Sequence, residues 1–122
     1  MPILDVTIVL GTGQTLPADL AQRLADAAGH VFAAPPGRVW VTLHAEPADH
    51  YAENATAQAD TPHPVFVRLT QAVPAEASAR AAEATALTQA VAAALDRDSS
   101  LVHLIYEPPA AGRIAFGGRL RS

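Results

Sequence analysis

The sequence predicts an α/β (α+β) domain in which two strand–helix–strand units form one four-stranded sheet with both helices on one face. Residues 2–47 and 64–108 repeat the same order of patterns: an apolar run, a stretch with helical spacing and a second apolar run. In a strand–helix–strand unit the two strands are parallel and the connection between them is right-handed. Two such units give a four-stranded sheet with both helices packed on one face. The chain has 122 residues, half of them apolar, which fits a single domain over residues 1–122.

The first unit begins with a strand over residues 3–10. Pro17 suits the first turn of the following helix, where its missing N–H costs nothing, and Pro35-Pro36-Gly37 ends that helix. Apolar side chains between these points follow helical spacing at Leu20, Leu24, Ala27, Val31 and Phe32. The second strand follows over residues 38–47, where apolar and polar positions alternate.

The second unit has the same order. Residues 65–70 form its first strand, and Pro74 opens a long alanine-rich helix. The buried face of this helix is marked by Ala84, Leu87, Val91 and Leu95. In the last strand, over residues 101–108, Tyr106 falls on the core side and His103 on the opposite side.

Two surfaces of this domain are expected to meet other subunits. The sheet face opposite the helices carries Trp40, Thr42 and His44, a set too mixed for a core and too apolar for plain solvent. Within the C-terminal segment 112–122, residues 114–120 read as a short strand broken at Gly117-Gly118, which suits pairing outside its own sheet. Residues 46–63 are polar and contain two prolines, so they are interpreted as the linker between the units.

Composition excludes several classes of function. The formal charge is −4 and the eight basic residues, all arginines, are scattered, which argues against a nucleic-acid partner. No apolar run approaches the ~20 residues needed to span a bilayer, so we expect no membrane partner and a cytoplasmic location. The chain has no cysteine for thiol chemistry. Its one cluster of metal-binding residue types, within residues 44–53, lacks fixed spacing, so we expect neither metal nor cofactor.

Pro2 is the strongest candidate for catalysis. Removal of Met1 would leave Pro2 as a free secondary amine at the start of the first strand. An unprotonated amine can act as a general base or a nucleophile. The alternative is that Met-Pro is an ordinary start that exposes a small second residue.

Pro2, the two strand–helix–strand units and the late Phe116-Gly117-Gly118 segment together resemble the tautomerase superfamily. The match in pattern covers nearly the whole chain. It is nearest to two-unit members such as macrophage migration inhibitory factor and malonate semialdehyde decarboxylase, with 4-oxalocrotonate tautomerase sharing the C-terminal segment. Residues 34–39 look like the family's passage from helix to strand, and residues 112–120 like its C-terminal segment.

The resemblance implies a homotrimer with three sites at subunit boundaries and a small carbonyl compound as substrate. Pro2 would be the general base of a tautomerase that moves a proton within a small 2-oxo acid, by keto–enol or double-bond isomerisation. An α-amino group has a pKa of about 7.7–8.0, which an apolar pocket lowers towards the working pH. Four residues are candidates for binding the substrate: Arg38 for its carboxylate, His103 for its carbonyl oxygen, and Phe116 and Arg119 from the C-terminal segment.

The chain also departs from the family. Arginines that its members use for carboxylates are absent from Gly11-Thr12-Gly13 and from Gln71-Ala72-Val73-Pro74. Their absence argues against dehalogenation and decarboxylation, and we expect dicarboxylates to gain little over monocarboxylates. Two alternatives stay open. One is a Pro2-dependent hydratase, decarboxylase or dehalogenase of an unsaturated acid. The other is a non-catalytic trimer that retains Met1.

Overall fold

The computed structural model describes residues 1–122 and contains a four-stranded mixed sheet, two helices on one face of it and a small C-terminal hairpin. The predicted fold class is confirmed. In chain order the elements are β1 (Ile3–Val9), α1 (Leu20–Val31), β2 (Trp40–Glu46), β3 (Val65–Thr70), α2 (Ala77–Leu95), β4 (Val102–Tyr106), β5 (Ala115–Phe116) and β6 (Arg119–Leu120). Neither helix has the length and apolarity that crossing a bilayer requires.

The strand order in the sheet is β2-β1-β3-β4. The pairs β1–β2 and β3–β4 are parallel, as each crossover predicts, whereas β1 and β3 run antiparallel. Ile3 therefore lies opposite Trp40 of β2 and Thr70 of β3. The beginnings of β1 and β2 and the end of β3 consequently meet at one end of the sheet.

The core lies between the sheet and the two helices. Alternate residues of β1 and β3 point into it, because successive side chains of a strand face opposite sides. These buried strand residues are Leu4, Val6, Ile8, Val65, Val67 and Leu69. Helix α1 covers them with Leu20, Leu24 and Ala28, and α2 with Leu87, Val91 and Ala92.

Both helices begin three residues after the proline that was expected in their first turn. Pro17 instead begins a separate turn, in which the Leu20 N–H donates to the Pro17 carbonyl oxygen at 3.2 Å. Before α2, Glu76 has φ −56° and ψ 155°, which is an extended and not a helical conformation. Pro74 therefore lies outside α2. The prolines therefore set the direction from which the chain enters each helix.

The sheet face opposite the helices is half exposed and carries two pairs of polar side chains in contact. His44 Nε2 lies 2.6 Å from Asp5 Oδ1, and Arg68 donates to Glu107 at 3.1 Å. Trp40 on the same face has 44% of its surface exposed. The mixed polar and apolar character predicted for this face is present.

The C-terminal segment forms a hairpin of its own, where a single broken strand was expected. Strands β5 and β6 pair with each other and with no strand of the main sheet. The two residues between them, Gly117 and Gly118, have φ values of 57° and 86°. A two-residue turn with positive φ at both positions matches the twist of paired strands and favours glycine, so the Gly-Gly pair reverses the chain.

Arg97, just after α2, joins three parts of the chain. Its guanidinium donates to the carbonyl oxygens of Val9 at 3.0 Å and His63 at 2.6 Å, and to Gln14 Oε1 at 3.2 Å. Burial lowers the pKa of Arg97 from its usual value, although arginine stays protonated in proteins. One cation thus holds the end of β1, the turn after it and the linker before β3.

We expect Arg97→Met to lower the free energy of unfolding by about 2–3 kcal/mol, because charged hydrogen bonds are lost while their carbonyl partners stay partly buried. Urea denaturation measures the change. Arg23→Met is the matched control: Arg23 forms only an exposed pair with Asp19 at 3.4 Å, which contributes a few tenths of a kcal/mol. Equal losses in the two variants would contradict the role assigned to Arg97.

Candidate active site

A cavity of about 540 Å³ surrounds Pro2 at the end of the sheet where β1 begins. Its volume is in the range of small-molecule sites. Its apolar wall consists of Phe32, Ala33, Ala34, Pro35, Ala72 and Phe116. Met1, Pro2, Arg38 and Arg121 complete the lining.

The pairing of β1 with β2 holds Pro2 in this cavity. The Trp40 N–H donates to the Pro2 carbonyl oxygen at 3.1 Å, one step before the first paired residues of the two strands. The Trp40 indole N–H also donates to the Gly37 carbonyl oxygen at 3.1 Å. Trp40 therefore links Pro2 to the loop that carries Arg38.

The end of α1 forms one wall of the cavity. The Ala33 N–H donates to His30 at 3.2 Å and the Ala34 N–H to Gly29 at 2.9 Å, which is the hydrogen-bond pattern of a Schellman helix end. Ala33 has a φ of 49°, in the left-handed region that usually selects glycine. This turn directs residues 33–35 towards Pro2.

The C-terminal hairpin forms the opposite wall. The ring of Phe116 packs edge-on against Trp40, with centroids 5.5 Å apart and planes at 86°. The Arg121 N–H donates to the Ile114 carbonyl oxygen at 2.9 Å, and the Arg121 carbonyl oxygen accepts from Gly112. These contacts hold both Phe116 and Arg121 at the cavity.

The charge of the cavity is entirely positive. Arg38 and Arg121 bring two guanidinium groups, and no Asp or Glu lines the cavity. Arg38 forms no ion pair with an Asp or Glu side chain, whereas the Arg121 guanidinium donates to the backbone oxygen of Ser122. The arrangement can bind an anion beside an apolar surface, with Pro2 between the two.

Three of the five predicted site residues, Pro2, Arg38 and Phe116, line this cavity together. Arg119 does not; Arg121, which the sequence analysis missed, lines it in its place. Successive side chains of a strand point to opposite faces, so Arg119 and Arg121, two residues apart, point to the same face. The sequence pattern therefore does not show which of the two reaches the cavity. Only the position at which the hairpin rests on Trp40 decides which guanidinium reaches the cavity.

His103 lies on the open sheet face, away from the Pro2 cavity of the same chain. Its ring is 5.5 Å from that of Phe66, which lies opposite Thr7 of β1. Thr7 follows Pro2 by five residues, a separation of about 16 Å along a strand. His103 and Pro2 therefore do not act on one small molecule within a single chain.

Tyr106 lies on the core side of β4, as its parity predicts. Its hydroxyl donates to Glu83 of α2 at 2.9 Å, and Arg80 lies 5.8 Å from the centre of its ring. Burial, with the Glu83 hydrogen bond, raises the pKa of Tyr106 above its usual value. No group of three or more His, Cys, Asp or Glu side chains is arranged to hold a metal ion.

Solved structures share this fold over almost the whole chain. The fused 4-OT symmetric trimer is 23% identical, with a TM-score of 0.76 over 98% of this chain and 94% of that one. Macrophage migration inhibitory factor from Trichinella spiralis is 13% identical, with a TM-score of 0.71 over 97% and 98%. Pt0534 inactivated by 2-oxo-3-pentynoate is 20% identical, with a TM-score of 0.71 over 98% and 94%.

No family model matches the sequence, and no curated protein matches it. At these identities the structures establish the fold. The fold that the resemblance implies is confirmed.

We expect Ala33→Gly to raise the free energy of unfolding by about 0.5–1 kcal/mol, because glycine adopts the left-handed conformation without the steric cost that Ala33 bears. Urea denaturation tests this. Ala34→Gly is the matched control, since the φ of Ala34 is not positive, and it should destabilise the protein. Destabilisation by Ala33→Gly of the same size would contradict the account of this turn.

Truncation of Phe116 should loosen the hairpin. We expect Phe116→Ala to speed amide hydrogen exchange at Gly112 and Arg121 about 2- to 10-fold, because an aromatic pair contributes about 0.5–1.5 kcal/mol. Leu120→Ala, in the same hairpin but 62% exposed, is the control and should change exchange little. Equal acceleration in both variants would show that the ring contact does not hold the hairpin.

Proposed function

We propose that this protein is a cofactor-independent tautomerase that isomerises a small 2-oxo acid, with the secondary amine of Pro2 as its general base. One observation carries the proposal: Pro2 lies in a cavity with an apolar wall and two guanidinium groups, those of Arg38 and Arg121. Proton transfer on a carboxylate-bearing substrate needs three parts. They are a basic amine, groups that bind the carboxylate, and an apolar wall that excludes water.

In the proposed reaction, Arg38 binds the substrate carboxylate and sets its adjacent carbonyl beside Pro2. The amine nitrogen takes a proton from the carbon next to the carbonyl, and the C–H electron pair forms an enolate. The same nitrogen then returns the proton to another carbon or to oxygen. No redox partner is required, since the reaction only moves a proton and a double bond.

The lining of the cavity favours an amine that is neutral before the reaction. The apolar side chains that line the cavity, among them Phe32, Ala72 and Phe116, disfavour a charged group, and the positive charges of Arg38 and Arg121 add repulsion. When substrate binds, its carboxylate offsets the arginine charges. Proton uptake by Pro2 therefore becomes more favourable once the substrate is in place.

The working form is proposed to be a homotrimer with each site completed at a subunit boundary. The fused 4-OT of the same fold is a symmetric trimer, and the half-exposed sheet face, with Trp40, is available for contact between copies. In such a trimer, His103 and Arg119 of one copy would reach the Pro2 cavity of the next. His103 would then donate a hydrogen bond to the developing enolate oxygen.

The base is tested with protein lacking Met1, assayed for ketonisation of the enol of phenylpyruvate and of 2-hydroxymuconate. We expect measurable rates with Pro2 at the N-terminus and lower rates for Pro2→Ala, which leaves a primary amine in much the same place. Forced retention of Met1 should abolish activity, because an amide nitrogen has no basic lone pair. Intact mass identifies the form assayed. Equal rates in the three forms would exclude Pro2 as the base.

Chemical labelling gives an independent check on the same nitrogen. Pt0534, which shares the fold, is inactivated by 2-oxo-3-pentynoate. A neutral amine adds to the triple bond of this compound, forming an N–C bond while a proton moves to the neighbouring carbon. We expect one adduct at Pro2 in protein lacking Met1, and none at Pro2 when Met1 is retained and that nitrogen is an amide. An adduct at a residue other than Pro2 would contradict the assignment.

A further inference from the structure

A second cavity, larger than the one around Pro2, lies on the exposed side of α1, and the proposed reaction does not use it. Its volume is about 790 Å³, which is in the range of small-molecule sites. The last turns of α1 form one side of it, and residues 33–37 form the other. Ala33, Ala34 and Pro35 line both cavities, so the two cavities share this turn as a wall.

The charge of this second cavity is opposite to that of the Pro2 cavity. Asp26 is its one acidic residue, and no arginine lines it. Asp26 forms no ion pair within the chain, and its Oδ1 accepts a hydrogen bond from Gln22 Nε2 at 2.9 Å. The other lone pairs of the carboxylate are free for a ligand. The cavity also lies at the C-terminal end of α1, where the helix dipole favours a positive charge.

Gly29 keeps this cavity open. It lies inside α1, where glycine is a poor helix former. Its φ is not positive, so the backbone does not require glycine there. A Cβ placed on Gly29 would meet no atom within 4 Å, so packing does not require glycine either. The space that a side chain would take belongs instead to the cavity that Gly29 lines.

We propose that this cavity is a second ligand site and that it takes a small organic cation with a planar amidinium or guanidinium head and a flat apolar body. The head donates two hydrogen bonds to the Asp26 carboxylate, which is the geometry that such groups favour. The body packs on the apolar side of the lining, formed by Pro35, Pro36 and Val39. Binding here needs neither the Pro2 amine nor Arg38, so this inference stands apart from the proposed function.

The test compares benzamidine with benzamide, which have nearly the same shape and differ in charge. Binding is followed through the amide chemical shifts of Gly29, Ala33 and Val39 in ¹⁵N-labelled protein, at one fixed ionic strength, since charged contacts weaken with salt. We expect the unmodified sequence to bind benzamidine about 3- to 10-fold more tightly than benzamide, the size of one charged contact at an exposed carboxylate. Asp26→Asn should bring the two affinities together while leaving benzamide nearly unchanged.

Asp19→Asn is the matched control for charge. It removes the same charge just before α1, but Asp19 does not line the cavity, so the preference for benzamidine should survive. Gly29→Met tests the space itself, because its side chain should fill the cavity and abolish the binding of both ligands. This variant should stay folded, since methionine is a good helix former and the space beside Gly29 is empty.

Three results would overturn the inference. The first is equal binding of benzamidine and benzamide by the unmodified sequence. The second is an equal loss of preference in Asp19→Asn and Asp26→Asn, and the third is unchanged binding by folded Gly29→Met. None of these measurements involves proton transfer, so each outcome leaves the proposed function to be judged by its own experiments.

Discussion

The hydrogen bond from the Trp40 N–H to the Pro2 carbonyl oxygen is the contact on which the rest of the site depends. It extends the parallel register of β1 and β2 by one step, to the point where the chain enters the cavity. The same tryptophan holds Gly37 through its indole and supports Phe116 through the face of its ring. Pro2, the loop with Arg38 and the C-terminal hairpin are thus positioned by one residue.

Local patterns were sufficient to predict most of the fold. Alternation identified the strands and put Tyr106 on the core side, while helical spacing identified both helices. The helix starts were three residues too early because proline fits equally well in a turn before a helix. One broken strand was predicted where the structure has a hairpin, because a Gly-Gly pair is compatible with both a break in a strand and a reversal of the chain.

The site was predictable where it depends on chain order and not where it depends on tertiary placement. Pro2 and Arg38 line one cavity because a strand start and the loop before its parallel neighbour share one end of a sheet. Arg119 was chosen over Arg121 because nothing in the sequence reveals where the hairpin rests. The left-handed conformation of Ala33 was not predictable from the sequence, because alanine is a good helix former. The Schellman turn at the end of α1 overrides that preference.

The proposed function requires that the cavity keep the Pro2 amine neutral, and the direct measurement is an NMR titration of the ¹⁵N-labelled Pro2 nitrogen in protein lacking Met1. The apolar wall and the two arginines predict a titration midpoint below the ordinary α-amino range of about 7.7–8.0. The midpoint should rise when a carboxylate ligand neutralises the arginines. A midpoint within or above the ordinary range, unmoved by ligand, would contradict the account.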